Sequence, residues 1–346
     1  IWVDRTCAFV AKFNSSGTLQ WQRRLYATTA GYSEFNGGHV TPSGELYLGG
    51  MSSFHTGGST SHSLLTRWDS SGNLQWQKLF THSNGTQGSR FHGLDLDSNG
   101  NIFCTASWLG ISKWNPSGTL LWQKSLNGEG GWDCACDECG NVYQLYWHDN
   151  LLSGSSDNDL QISKWDTSGN LTWQRAFGHT AGSDYASWGG ITISDKHTIC
   201  IGAGTEAIYT GNNGSIDSQN AMVIKLPNDG SLTGPYTNGF QFQSTSSSVA
   251  TTTHTVSNAS LTTSTSGCSV ASSSFPEQSH NNNYTKTVIM EYNTPNLNIT
   301  TDIASTYSTT AGSGQNFVVA AEDNANASGT TITYQWKYST NSGSTW

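Results

Sequence analysis

A recurring twelve-residue phrase decides the fold, and its first copy is KFNSSGTLQWQR at residues 12–23. Full copies follow at residues 67–78, 113–124 and 164–175, and a shortened copy, KLPNDGSL, occupies residues 225–232. Successive turn glycines of these copies are roughly 45 to 60 residues apart, which suits four short strands per repeat and exceeds the period of most solenoids. The sequence therefore predicts a repeat architecture.

Each copy of the phrase has the pattern of a β-hairpin. Leu19 and Trp21 alternate with two glutamines, which is the period-two pattern of a half-buried strand. The Asn/Asp-x-Ser-Gly segment before them suits a tight turn, because Asn or Asp can bond its own backbone and Gly accepts a positive φ. A second hairpin precedes the phrase, as at residues 94–104. Two hairpins per repeat predict a four-stranded meander.

Such a meander cannot bury both of its faces alone, so we expect the copies to stack radially as the blades of a β-propeller. The expected fold class is all-β, with about five to seven four-stranded blades within residues 1–243. Four of the blades are placed at residues 37–80, 92–126, 131–177 and 189–243. Residues 1–27 match strands two to four of a further blade, whose first strand would come from a lost N-terminus or from residues 286–292.

The composition changes after residue 243. Residues 244–294 begin with a stretch rich in Ser and Thr and are predicted to be a closing segment or an irregular blade. Residues 295–346, with a central Trp336, predict the opening strands of an incomplete Ig-like β-sandwich. Its apolar stretches are residues 297–299, 317–319 and 332–338.

The phrase also carries a family resemblance. KWNPSGTLLWQK at residues 113–124, with DSNGNI at residues 97–102 before it, resembles the SBBP-type β-propeller repeats of bacterial surface proteins and of virion proteins of marine phages. Residues 224–234, with the Ser/Thr-rich stretch that follows, are similar to the end of the array in the phage versions. Residues 334–346 are similar to an Ig-like domain of phage fibres and bacterial adhesins. The resemblance implies a fold and an extracellular setting, and neither repeat implies a reaction.

Composition and charge argue against several classes of protein. The net charge is -9 over 346 residues without any block of like charge, which disfavours a nucleic-acid partner. No apolar run approaches the roughly 18 residues of a membrane span. The 14 tryptophans supply enough core volume to exclude disorder of the whole chain. The chain opens at Ile1 without Met or a signal-like segment, and is interpreted as a fragment or a processed product.

The seven cysteines indicate no disulfide framework, because their number is odd and they are dilute. The densest group is Cys134, Cys136 and Cys139, which could form a tetrahedral zinc site with a histidine such as His148. Alignment with the preceding repeat places Cys134 and Cys136 at buried strand positions instead. We favour small buried apolar side chains, with a local disulfide and a metal site as the alternatives.

The tryptophan repeated in each phrase has two interpretations. One large aromatic side chain at a fixed strand position is what blade stacking requires. A quinoprotein oxidoreductase also repeats tryptophans, but it would need a calcium-binding acid set and usually two adjacent cysteines, and no two cysteines here are adjacent. We therefore predict core packing for Trp21, Trp76, Trp122 and Trp173.

Other polar residues have structural interpretations. Asp95-x-Asp97-x-Asn99-Gly100 imitates the first half of a calcium loop but lacks the closing Glu, so it is interpreted as a turn. No nucleophile elbow, HExxH, phosphate loop or Cys/His pair is present. We expect a protein that is not an enzyme, with no catalytic residue, metal or cofactor. The basic residues that open the phrase are interpreted as edge and surface residues: Lys12, Arg67, Lys113, Lys164 and Lys225.

The loops that lead into the first strand of each blade form the candidate binding site. They occupy corresponding positions, so they should cluster on one face near the channel, where aromatic and polar side chains can stack on a sugar. Packing at the rim is the alternative interpretation. The candidate ligand-binding residues are Tyr32, Phe35, Arg90, His92, Trp132, Tyr185 and Trp188.

These patterns together predict a structural or adhesive component of a phage virion appendage, such as a tail fibre or spike. Its setting is extracellular, on the virion surface, and its ligand is a host surface glycan. The expected partners are further copies of the chain or other virion proteins, without nucleic acid or a membrane span. The alternatives are a bacterial cell-surface adhesin or extracellular filament subunit, and a quinoprotein-like oxidoreductase.

Overall fold

The structure is a computed structural model of the chain. It describes residues 7–26, 31–53, 60–81, 88–126, 131–149, 151–152, 158–179, 182–194, 198–206, 220–236, 240–245, 249–251, 255–258, 262–264, 297–299 and 321–323. The chain divides into two compact units, residues 1–290 and 291–346. Over the described ranges, no helix is long and apolar enough to cross a membrane.

The first unit begins with a hairpin of β1 (Ala8–Phe13) and β2 (Leu19–Tyr26), here called the N-terminal hairpin. Four antiparallel meanders follow, here called blades 1 to 4. Blade 1 is β3 (Ser33–Val40), β4 (Leu46–Ser52), β5 (His62–Trp68) and β6 (Leu74–Thr81); blade 2 is β7 (Phe91–Leu96), β8 (Ile102–Ala106), β9 (Gly110–Trp114) and β10 (Leu120–Leu126). Blade 3 is β11 (Asp133–Cys136), β12 (Val142–Asp149), β13 (Asn158–Trp165) and β14 (Leu171–His179); blade 4 is β15 (Asp184–Ile193), β16 (Thr198–Thr205) and β17 (Asn220–Pro227).

The blades pack in chain order, and their first strands, β3, β7, β11 and β15, contact one another in succession. The predicted all-β fold class and the β-propeller architecture are confirmed. Over the residues that the structure describes, the propeller has four blades, so the predicted five to seven were wrong. Counting copies of the phrase overestimated the number, because the first copy forms the N-terminal hairpin. The shortened copy contributes the third strand of blade 4 and the turn after it.

The Ser/Thr-rich stretch runs back along the outer edges of the sheets. Its strands, with the short one before them, are β18 (Gly234–Pro235), β19 (Phe240–Ser244), β20 (Val249–Thr251), β21 (Thr255–Asn258) and β22 (Thr262–Ser264). Strand β19 pairs with β14, β20 with β10, β21 with β6 and β22 with β2. The chain thus revisits blades 3, 2 and 1 and then the N-terminal hairpin, and covers one edge of each, which protects edges that could otherwise pair with another chain. We call residues 240–264 the outer strap.

The outer strap differs from the predicted end of the propeller. The expected fourth strand of the last blade, near residue 240, pairs with blade 3 instead, which leaves blade 4 with three described strands. The described part of residues 244–294 adds single edge strands to other sheets and forms no sheet of its own. Each of these short polar strands pairs with a different sheet, so together they show no repeating apolar pattern. The sequence could therefore not predict which sheet each strand joins. Residues 286–292 lie outside the described residues.

The phrase forms the same turn in every repeat, which explains its composition. Asn14 accepts hydrogen bonds through Oδ1 from the backbone N–H groups of Ser16 and Thr18, and Asp69, Asn115 and Asp166 do the same in the next copies. The glycine that follows adopts φ between +71° and +81° in all five copies, in the left-handed region that glycine enters without strain.

Each repeated tryptophan packs on the turn of the next repeat. A Cβ added to Gly169 would lie 2.9 Å from Cδ2 of Trp122, and one added to Gly72 would lie 2.7 Å from the same atom of Trp21. The indole Nε1 of Trp122 donates to the carbonyl of Thr167 at 3.2 Å. Trp76 and Trp173 pack in the same way on the turns of blades 2 and 4. These four tryptophans therefore pack between neighbouring sheets, but each is only partly buried over a turn and not in the predicted core position.

Three of the basic residues that open the phrase, Lys12, Arg67 and Lys113, bond the same turns. Lys12 Nζ donates to the carbonyl of Ser70 at 3.2 Å, and Lys113 Nζ donates to that of Thr167 at 3.1 Å. Lys113 is buried and lies 3.5 Å from an Asp97 carboxylate oxygen. Its interpretation as an edge and surface residue was therefore wrong. Strand periodicity shows which face a side chain takes, but not that the next blade brings a carbonyl within its reach.

The second unit contains one described sheet, in which β23 (Leu297–Ile299) pairs with β24 (Ala321–Asp323). The first apolar stretch of the predicted Ig-like domain is thus a strand. The other two stretches, residues 317–319 and 332–338, lie outside the described residues. A two-stranded sheet does not show an Ig-like sandwich.

Candidate ligand-binding face

The pairing register is interrupted near the start of three of the four first strands, by a one-residue β-bulge in β3 and β7 and by a longer irregularity in β15. The pairing register shifts between Phe35 and Gly37 in β3, between Phe91 and Gly93 in β7, and between Tyr185 and Gly190 in β15. A bulge bends its strand and redirects a side chain, and bulges are frequent beside functional sites. The extra residue is Asn36 in blade 1 and His92 in blade 2.

His92 is the centre of a polar and aromatic group that joins blades 2 and 3. Its Nε2 lies 2.6 Å from the hydroxyl of Ser107, and its ring centroid lies 4.3 Å from that of Trp132. Burial, followed by the positive charge of Arg90, lowers the pKa of His92 to about 4. The imidazole is therefore neutral near pH 7 and can both donate and accept a hydrogen bond.

A charged pair lies beside this group and joins blades 1 and 2. Arg90 places a guanidinium nitrogen 3.0 Å from a carboxylate oxygen of Glu34, and both side chains are partly exposed. The carbonyl of Arg90 accepts a hydrogen bond from the N–H of Ser107, which holds the loop before β7 against the turn after β8. Because both side chains are partly exposed, their polar groups can reach a molecule bound at this surface.

Trp108 is the chain neighbour of Ser107, which bonds both His92 and the Arg90 carbonyl, but it was missed by the sequence analysis. It follows Ser107 in the turn between β8 and β9, has a φ of +63°, and exposes 49% of its surface. A positive φ is unusual for a bulky residue and is held only where the surroundings impose it. The sequence did contain a hint of this role. Trp108 lies outside the repeated phrase, in a short connection where blade stacking requires no tryptophan.

Asp133, next to Trp132, occupies the position that glycine holds in the other three first strands. Its Oδ2 accepts a hydrogen bond from the N–H of Ile191 at 2.9 Å, which ties blade 3 to blade 4. A Cβ added to Gly93 would lie 2.5 Å from Oδ1 of Asp133, so blade 2 makes room for this carboxylate. Burial raises the pKa of Asp133 to about 6.

The structure therefore brings three of the seven predicted binding residues together, namely Arg90, His92 and Trp132. Phe35 packs instead into the core between the N-terminal hairpin and blade 1. Tyr185 donates its hydroxyl hydrogen to Glu206 at 3.1 Å within blade 4. Tyr32 is 37% exposed. The side chain of Trp188 lies outside those that the structure describes.

The cysteine cluster has the geometry of apolar packing. Cys134 is buried in the core between blades 2 and 3, where its Sγ lies 3.6 Å from the carbonyl of Phe103, and Cys136 packs beside this core. Burial raises the pKa of both thiols well above their usual value, whereas Cys139 is exposed. Cys134, Cys136 and Cys139 form no disulfide, and no group of three metal-ligating side chains is found within the described ranges. The predicted buried position is confirmed for Cys134.

Comparison with protein-family models and with curated proteins finds no match. Among solved structures, the chain is similar to a protein of unknown function from Bacteroides caccae, with 12% sequence identity and a TM-score of 0.39. The similarity covers 62% of this chain and 69% of that one.

Proposed function

We propose that this protein is a non-enzymatic, adhesive component of a phage virion appendage. We further propose that the face formed by Arg90, His92, Trp108 and Trp132 binds a host surface glycan. The observation that carries the proposal is Trp108, a half-exposed indole held at a positive φ directly after Ser107, whose N–H bonds the carbonyl of Arg90. The virion setting rests on the family resemblance of the repeats alone.

The chemistry of this face suits a sugar. An exposed indole can stack on the apolar face of a pyranose ring, and aromatic side chains with a polar rim are common in binding sites. The guanidinium of Arg90 and the carboxylate of Glu34 can bond vicinal hydroxyl groups as donor and acceptor. His92 is largely buried against Trp132, so its part is to position the loop and not to make the main contact.

The test is binding of the full chain to bacterial surface polysaccharides, measured on a glycan array and then by calorimetry on the best ligand. We expect Trp108→Ala and Arg90→Ala each to weaken binding by about tenfold or more, which corresponds to about 1.4 kcal/mol. The matched control is Leu121→Ala, which removes an equally exposed apolar side chain from outer strand β10 and should leave binding unchanged. Equal losses in all three variants, or no glycan bound by the wild-type chain, would contradict the proposal.

The same face would serve a bacterial cell-surface adhesin. Antibody labelling of phage particles and of host cells separates these settings, because the virion proposal requires the label on particles. No observation favours the quinoprotein alternative, since the repeated tryptophans pack on the turns of neighbouring sheets.

A further inference from the structure

Every interface between neighbouring sheets uses equivalent residues of the repeat. The side chain two positions before the opening basic residue packs against the following sheet, and the side chain one position after it packs against the preceding sheet. Both kinds are fully buried at the interfaces between blades, whereas Val10, the residue of the first kind in the N-terminal hairpin, is partly buried. The first kind comprises Leu65, Ile111 and Ile162, and the second kind comprises Trp68, Trp114 and Trp165.

Blade 4 leaves its following side open. Val223 is the equivalent of Ile162 and is 85% exposed, although Ile162 is fully buried. Lys225, the equivalent of the buried Lys113, is also exposed. In contrast Leu226, which faces blade 3, is completely buried. Blade 4 is therefore normally packed on one side and uncovered on the other at these positions.

The N-terminal hairpin leaves the opposite side open. Phe13 is the equivalent of Trp68 and Phe9 the equivalent of Leu64; both phenylalanines are 47% exposed, whereas Trp68 and Leu64 are fully buried. The turn shows the same difference. A Cβ added to Gly17 would have no neighbour within 4 Å, whereas the turn glycine of every later repeat lies against a tryptophan of the preceding sheet.

We infer that blade 4 of one copy of this chain packs, head to tail, on the N-terminal hairpin of a second copy. Val223 of the first copy would contact Phe9 and Phe13 of the second. Lys225 would donate to the carbonyl of Ser15, the turn position equivalent to the Thr167 carbonyl that Lys113 bonds. A second copy is the partner because the two open sides are the two halves of an interface that the chain already builds between its own sheets. Each half is complementary to the other and not to itself.

The intermolecular interface lacks one element of the internal ones. Gly234 stands where blade 4 would carry the equivalent of Trp173, so no indole is available to cover Gly17. Association should therefore be weaker than the packing between blades, and it should be reversible and dependent on concentration. An interface between two different surfaces of the same chain leads to rings or open filaments and not to symmetric dimers. This assembly does not depend on glycan binding.

The experiment uses two full-length variants that each block one side. Val223→Glu places a charge on the open side of blade 4, and Phe9→Glu places one on the open side of the N-terminal hairpin. Analytical ultracentrifugation should show that the wild-type weight-average mass at least doubles between low and high micromolar concentration, while each variant alone stays monomeric. An equimolar mixture of the two variants should form dimers and nothing larger, because it contains one intact pair of sides.

Two controls keep the result interpretable. Leu121→Glu introduces the same charge at a half-exposed position outside both open sides and should assemble like the wild type. Thermal unfolding of all variants at low protein concentration, where the chain is monomeric, should match the wild type, since the substituted side chains are exposed. The inference is overturned by a wild-type chain that stays monomeric, by variants that still assemble, or by a mixture that forms no dimer. Solution scattering could instead show a monomer in which blade 4 packs on the N-terminal hairpin of the same chain. That result would mean that the chain closes on itself and does not pair with a second copy.

Discussion

The seam between blades 2 and 3 and the open side of the N-terminal hairpin are built from the same phrase, yet their environments differ. At the seam, Gly169 lies under the ring of Trp122, and Lys113 reaches across to the turn of blade 3. At the open side, the equivalent Gly17 has nothing above it. The local conformation is the same, with φ of +81° and +76°. The comparison separates two reasons for a glycine at this position. One is the positive φ of the turn, and the other is the space that the tryptophan of the neighbouring sheet occupies.

The largest effect is expected from substituting the two glycines in parallel. Gly169→Ala introduces a positive-φ strain of about 1 kcal/mol and also a methyl group that overlaps the indole, for a total of about 3 kcal/mol. Gly17→Ala should show the strain alone, about 1 kcal/mol. The measurement is the free energy of unfolding from urea denaturation monitored by tryptophan fluorescence. Equal losses for the two variants would show that the tryptophan moves aside and does not need the glycine.

A second pair compares the basic residues. Lys113→Met leaves the buried Asp97 without its cationic neighbour and the Thr167 carbonyl with one donor fewer, and should lower the free energy of unfolding by about 2 kcal/mol. Lys225→Met removes an exposed charge and should change it by less than about 0.5 kcal/mol. Urea denaturation at low protein concentration gives both values without contribution from assembly. A loss of the same size in both variants would refute a specific role for the seam.

The smallest effect concerns pH and the contact between blades 3 and 4. The pKa of Asp133 is raised to about 6 by burial, and the neighbouring Asp95 adds to the shift, so the folded chain holds a proton on Asp133 that the unfolded chain has released. The stability contributed by Asp133 is therefore highest below about pH 4 and falls as pH rises to about 6. Because the side chain is only partly buried, we expect a change on the order of 1 kcal/mol.

The control for this effect is Asp133→Asn, which cannot titrate. From pH 4 to pH 6 the free energy of unfolding of the wild type should fall relative to that of the variant. Above about pH 6 the difference between the two proteins should stay constant. Comparing the two proteins cancels the other carboxylates, such as Asp69 and Asp166, whose lowered pKa values act in the opposite direction. A difference that is independent of pH would contradict the buried position of the carboxylate.

Much of the candidate face was accessible to sequence analysis, and the missing parts have physical causes. Arg90, His92 and Trp132 were predicted because corresponding loops of a repeat fold meet on one face. Phe35 is likewise an aromatic residue in the segment that leads into a first strand. Its ring, however, packs into the core beside the N-terminal hairpin. Trp108 was missed because its exposure comes from a turn conformation that no periodic pattern reports.

The sequence by itself determined the all-β meander, the hairpin turns and the tryptophan that each repeat gives to the next. These follow from local alternation and from turn residues whose conformational preferences act within a few positions. Only the tertiary structure decided the number of blades, the path of the outer strap and the two open sides. Those depend on which edges and faces find a partner far away in the chain, and a polar strand such as β20 pairs through backbone groups that every residue shares.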